Sequence, residues 1–157
     1  MIGVVDDPQA LDAFLRIDAA QTRSSPPRAV VARTVEGGPA HPRITLVFMA
    51  DSRWCGSGGC TLFMLVPAAA GLAELSHATL VHPPVAVLDT RTNDMPDISV
   101  RVRGDYYPGD GEKFVVLPFN GQTYASNPTM PPAHLLRGPA DGEIAISEGE
   151  VAIAFRR

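Results

Sequence analysis

Hydrophobic spacing divides the chain into one helical stretch followed by a long series of strands. Over residues 7–21, Leu11, Phe14 and Leu15 share one face of a 3.6-residue repeat, with Ala10 and Ile17 beside them and Asp12 and Arg16 opposite. Asp7 is a suitable N-cap, and Pro8 stands where a missing N–H costs nothing. The pattern predicts one amphipathic helix docked on a sheet. Residues 22–27 read as a polar linker that ends in proline.

From Arg28 onward the repeat shortens to two. Residues 28–35 carry Val30, Val31 and Val35, and Glu36-Gly37-Gly38-Pro39 closes them as a turn. In residues 43–50, Ile44, Leu46 and Phe48 alternate with the equally apolar Val47 and Met49. A strand apolar on both faces belongs in the middle of a sheet. Residues 61–66 have the same character, and the two are expected to pair as an antiparallel hairpin. A weaker strand over 72–81, a break at Pro83-Pro84 and a short strand over 85–90 follow. Residues 91–97 read as a turn. Ile98, Val100 and Val102 then point inward, with Ser99, Arg101 and Arg103 toward water.

The remaining pattern is shorter in range. Residues 113–119 read as a strand placed at an edge by Pro118, and Asn120-Gly121 as a hairpin turn into Gln122-Thr123-Tyr124. Residues 125–140 are a proline-rich excursion with one helical turn expected at 134–137. Residues 143–147 and 150–155 are expected to form a terminal hairpin around Glu148-Gly149, burying Ile144, Ile146, Val151, Ile153 and Phe155. The elements together predict a mainly β single domain over 1–157, with a helix at 7–21 and a β core at 28–156. Its architecture is an antiparallel sandwich or strongly curved sheet with one N-terminal helix.

Composition narrows the function classes. A 157-residue chain is one domain by size, and 45% apolar with 19% charged residues is ordinary for a globular protein. The 15 prolines and 14 glycines suit short strands joined by turns. A formal net charge of −4 gives no excess positive charge to attract nucleic acid or anionic lipid. No apolar run approaches the roughly 18 residues of a transmembrane helix. The first residues, Met1 to Asp7, lack the basic and apolar regions of a signal peptide. Two locations stay open: the cytosol, or an exported, periplasmic protein whose leader precedes Met1.

Trp54-Cys55-Gly56-Ser57-Gly58-Gly59-Cys60 holds the only tryptophan and both cysteines, between two apolar strands. Two cysteines close together in a glycine-rich joint favour one disulfide, Cys55 to Cys60, and with it an oxidising compartment. Two alternatives remain. Zinc would need two more ligands, yet His41, His77, His82 and His134 stand singly; a thiol nucleophile would need a distant histidine. The joint is neither a P-loop nor a dinucleotide fingerprint. Asp89, Asp94, Asp97, Asp105 and Asp110 sit where turns favour aspartate, without the spacing of an EF-hand. No catalytic site, metal site or cofactor is assigned.

Exposed aromatic and basic residues are the better functional clue. Arg101 and Arg103 on a wet strand face, followed by Tyr106 and Tyr107, have the composition of a binding hot spot. Tyr124, Asn127 and Met130 extend the expected partner-binding surface along a rigid loop that could enter a partner's cleft.

Three stretches carry a resemblance: Trp54 to Cys60 with its following strand, Asp97-Ile98-Ser99-Val100, and Phe119-Asn120-Gly121-Gln122-Thr123-Tyr124 running on to Asn127-Pro128. In order and spacing, over roughly residues 43–132, the chain resembles small exported proteins and lipoproteins of Gram-negative bacteria, mostly of unknown function. In that group the cysteines are expected to form a disulfide. Some β-rich relatives look like periplasmic lysozyme inhibitors, and others like immunity proteins against cell-wall-targeting effectors. The resemblance implies a non-enzymatic periplasmic binding protein whose protein partner is a cell-wall hydrolase or effector. The alternatives are a small hydrolase or metal-dependent enzyme using acidic loop residues and a histidine, and a structural envelope protein.

Overall fold

The computed structural model describes residues 4–138 and 141–156. The ends of the expected N-terminal segment and of the proline-rich excursion, at 1–3 and 139–140, and the last residue of the chain lie outside them. The fold is mainly β: an antiparallel, strongly curved sheet with a helix at its N-terminal side. The elements are α1 (Pro8–Gln21), β1 (Val30–Val35), β2 (Ile44–Met49), β3 (Cys55–Gly56), β4 (Gly59–Ala68), β5 (Gly71–Thr92), β6 (Met95–Val102), β7 (Lys113–Leu117), β8 (His134–Leu135), β9 (Gly142–Ile146) and α2 (Glu148–Phe155). The strand order is β1-β2-β4-β5-β6-β7-β8, with β3 added beside β4 and β9 beside β5.

The long strand β5 serves two neighbourhoods. Its first half pairs with β4, from Ala68↔Gly71 to Cys60↔Val81. Its second half pairs with β6 and, on the other side, with β9. The sheet therefore folds over along β5. Leu46, Phe48, Leu62 and Met64 of one half share a core with Val85, Ile98, Val100, Val115 and Leu117 of the other. The expected pairing of the two doubly apolar strands is present as β2 with β4, from Thr45↔Leu65 to Phe48↔Leu62. Their second face lies under α1, where Leu11 and Leu15 pack on Val47, Met49, Phe63 and Leu65. The Asp7 carboxylate caps α1 by accepting from the Ala10 N–H at 2.9 Å.

Several local expectations are corrected. Pro83-Pro84 does not end a strand: β5 runs through it, and the pairing slips between His82 and Val85. A residue without an N–H is tolerated where a strand changes partners, because the ladder is already interrupted there. Residues 134–137 form no helical turn. His134 and Leu135 pair as β8 with Val116 and Val115, so β7 is flanked on both sides over those positions and is not a free edge there. Ser99 is 2% exposed and not directed to water, because the outer face of β6 is itself covered.

The terminal hairpin is half strand and half helix. β9 forms as expected, but residues 148–155 are α2. Val151, Ile153 and Phe155 fit a two-residue repeat, whereas Val151 and Ala154 fit a helical one, and the second pair is buried. The Ser147-Glu148-Gly149-Glu150 start decides between them. The Ser147 hydroxyl accepts from the Glu150 N–H, and the Glu150 carboxylate accepts from the Ser147 N–H, each at 3.2 Å. This capping box satisfies helical N–H groups that a strand would not leave open. Ile153 and Phe155 are left 49% and 45% exposed, and Ile144 on β9 is 59% exposed.

Replacing Ser147 with alanine is expected to lower stability by about 1 kcal/mol, measured by urea unfolding. Glu150→Ala is expected to cost more, because its carboxylate also meets Arg33 at 3.2 Å. Equal stability of both variants and the parent would show that the box does not hold α2.

Candidate functional site

The cysteine joint is a small disulfide-closed hairpin. Cys55 and Cys60 face each other across β3 and β4 and are bonded. Gly56 pairs with Gly59, leaving Ser57-Gly58 as the turn. The clasp joins β3 to β4 and does not bridge the central pair β2 and β4. Gly59 has φ +141°, and a Cβ there would lie 2.5 Å from the Leu80 carbonyl carbon. Upstream, Asp51 anchors the joint. Its buried carboxylate accepts from the Arg28 and Arg53 backbone N–H groups at 2.9 and 3.0 Å and from the Arg53 guanidinium at 2.7 Å. These donors, the Arg53 side chain first, hold its pKa well below the usual carboxylate range. Arg53 also lies over the Trp54 ring and donates to Pro26 O, which fastens the linker to the joint.

The arginine–tyrosine surface expected after β6 separates into distinct contacts. Arg101 is half-buried: Nε donates to Pro83 O at 2.9 Å, and the side chain meets Glu148 of α2 at 3.4 Å. Arg103 is exposed, pairs with Asp105, reaches Ser57 O at 3.3 Å and lies over the Tyr106 ring. The Tyr106 hydroxyl abuts Gly58, where a Cβ would approach it to 2.6 Å. His82 stands beside them with Nε2 3.0 Å from Gly58 O; a carbonyl only accepts, so this nitrogen carries the proton. Burial first, and then Arg101, lowers the His82 pKa. Arg103 and Tyr106 thus meet the tip of the disulfide hairpin, which the sequence did not connect with them.

The second group gathers around residues 127–130. Tyr107 is half-buried, and its hydroxyl donates to Pro128 O at 2.6 Å; burial raises its pKa. Asn127 Oδ1 accepts from the Thr129 N–H at 2.9 Å and from the Thr129 hydroxyl at 2.7 Å. Met130 is 54% exposed at the end of this turn. Tyr124, by contrast, is a core residue. It is 2% exposed, stacks beside Phe119 and donates its hydroxyl to Pro96 O at 2.8 Å. The Asn120-Gly121 turn is wider than the expected two-residue hairpin, since Phe119 bridges Tyr124 and not Gln122, and it carries this ring inward, so no partner reaches it. Burial raises its phenol far above the ordinary range.

Tyr107 and Met130 line a cleft of about 610 Å³ between the outer face of the second half-sheet and residues 129–137. Its floor includes Leu88, Thr90, Asp97 and Val116. Asp97 is 6% exposed and accepts from the Thr90 and Thr92 hydroxyls, each at 2.7 Å and each on a different oxygen. Asp97 is therefore buried within the sheet and is not a turn former as its position suggests. The overlooked signal was its place two residues before Ser99, on the same face of β6, with two threonines entering the same turn from the other strand. A second cavity, of about 440 Å³, lies between the β1 and β9 edges and is lined by Arg33, Arg43 and Arg91 together with Glu36, Asp89 and Glu143.

Among the described residues, no group of three or more His, Cys, Asp or Glu side chains is placed to hold a metal ion, and no helix is long and apolar enough to cross a membrane. Asp51 gives a pH test. Its folded-state pKa is depressed, so its contribution is present above the unfolded carboxylate value and is lost as pH falls through the folded one. Urea unfolding is expected to show stability falling below about pH 4, with a shallower fall in Asp51→Asn. At neutral pH the variant is expected to lose about 2 kcal/mol. An unchanged acid slope would remove Asp51 as its source. The chain matches no family model, and searches of curated proteins and of solved structures give no match to it.

Proposed function

We propose that this chain is a non-enzymatic binding protein of an exported, oxidising compartment, one that engages a protein partner through the strap at residues 127–137. The observation that carries this reading is the strap's rigidity around an exposed thioether. Tyr107 holds Pro128 O, Asn127 locks Thr129, and the Ala133 N–H donates to Met130 O at 3.1 Å. A loop already fixed in one conformation loses less entropy on binding than a mobile one. The Cys55–Cys60 disulfide is compatible with an oxidising location.

The favoured partner is a cell-wall hydrolase or effector, which makes this chain an inhibitor or immunity protein. Support comes from the resemblance over residues 43–132 and from the net charge of −4. Enzymes drawn to an anionic cell wall carry positive charge, and an acidic protein complements them and speeds encounter. A second reading, a hydrolase, is favoured by one observation: Asp97 and His134 line the same cleft. Against it, Asp97 is held by two threonine hydroxyls, and His134 Nδ1 faces Pro132 O at 3.2 Å and not the carboxylate. Neither side chain orients the other as a base and its positioning partner would.

Purified protein is expected to inhibit peptidoglycan hydrolysis by a Gram-negative envelope extract and to retain the hydrolase on a column. Met130→Asp is expected to weaken both by about tenfold or more, which corresponds to about 1.4 kcal/mol. If the variant matches the parent, the strap is not the contact surface. Turnover of cell-wall or ester substrates by the protein itself, abolished in Asp97→Asn, would replace the binding reading with the enzymatic one.

A further inference from the structure

We infer that the cleft beneath the strap is a pocket for one basic side chain of the partner, a lysine or arginine whose cationic head reaches Asp97. This inference rests on the binding reading above and names what the partner places in the site.

The register of the second half-sheet builds the floor. Ala86 faces Ser99, Ser99 faces Val116, and Val116 faces His134, so one row of side chains crosses the outer surface from β5 to β8. Asp97 lies two residues before Ser99 and therefore on the same face. Leu88 and Val116 supply apolar wall, suited to the methylene stem of a long basic side chain.

The polar atoms at the floor are acceptors. An ionised carboxylate offers about four lone-pair sites, and the two threonine hydroxyls occupy two of those on Asp97. Both donors are neutral, and among the described residues Asp97 has no ion pair. A buried charge ordinarily has a counter-charge. The Thr90 oxygen, having donated its proton to Asp97, presents its own lone pairs at the cleft. His134 Nδ1 lies 3.2 Å from Pro132 O. Several acceptors with one buried negative charge suit an ammonium, with three donors, or a guanidinium, with five. Tyr107 adds an aromatic wall, against which a cation is also favoured.

Arg137 is the one opposing charge on the lining, and it is exposed at the rim. Water and salt screen a rim guanidinium far more than a carboxylate at the floor, so Asp97 dominates inside. Met130 stands on the same rim, next to the surface a partner would cover.

The test uses the full chain, with its methionine methyl groups labelled for NMR, and three probes: Nα-acetyl-lysine methylamide, its norleucine counterpart and its glutamate counterpart. The lysine probe is expected to shift the Met130 methyl and Tyr107 ring signals in a saturable way. Norleucine is expected to bind at least about tenfold more weakly, and glutamate more weakly still. Asp97→Asn is expected to remove the lysine preference while keeping the fold, because an amide can accept from one threonine and donate to the other. Should that variant lose the native spectrum, Val116→Phe fills the cleft from its floor with Asp97 in place and must abolish the lysine shifts. Equal binding of norleucine, a preference for glutamate, or an unchanged lysine response in either variant overturns the pocket. Hydrolase capture separates the two claims. If capture fails with Met130→Asp but survives Asp97→Asn, the pocket assignment falls and the strap stands. If the lysine probe binds as expected and capture ignores Met130→Asp, the strap falls and the pocket stands.

Discussion

Everything in this fold is arranged by the change of partners along β5. A straight 22-residue strand paired to the same neighbour throughout would give a flat ladder with two half-covered faces. Here the pairing with β4 ends at Val81, and that with β6 begins at His82 and slips before Val85. The two halves of the sheet turn toward one another across that slip, which lets Phe48 and Leu62 on one side meet Val100 and Val115 on the other. Burial of that shared face is the main stabilising term, because apolar area removed from water is worth about 25 cal/mol per Å². The outer faces then need separate covers. α1 serves the first half, and residues 129–137 serve the second.

Two buried carboxylates show how those covers differ. Asp51 faces the arginine two residues along its own chain and two backbone N–H groups, a set that neutralises and fixes it. It closes the link between the linker, the single helical turn at Ser52–Trp54 and the disulfide hairpin. Asp97 is as deeply placed but receives only hydroxyl hydrogen bonds, and the space above it is a cleft. The first is a structural anchor. The second ties β5 to β6 through two threonine hydroxyls and lies at the floor of a cleft edged by residues 129–137.

Much of this was legible along the chain. The Asp7-Pro8 start and the Leu11, Phe14, Leu15 spacing placed α1, and two apolar faces placed β2 and β4 at the centre. Cysteine spacing gave the disulfide. The errors have local causes. Residues 148–155 fit strand and helix repeats alike, and the deciding Ser147–Glu150 box was overlooked. Proline at 83 and 84 was read as a break because the rule concerns a central ladder, not a strand changing neighbours. Tyr124 was assigned to a binding surface because a tyrosine in a polar turn looks exposed, although its hydroxyl had a buried carbonyl to reach.

The sequence by itself determined the central strands β2 and β4, where the first helix caps and that the two cysteines can bond, because these depend on neighbours within a few residues. Tertiary structure alone decided that Arg103 and Tyr106 meet the disulfide hairpin tip, and that Asp97, Tyr107 and Met130 line one cleft. Those contacts join positions brought together by the folding of the sheet along β5. No repeat in the chain encodes them, since they follow from strand register and from which outer face the strap covers.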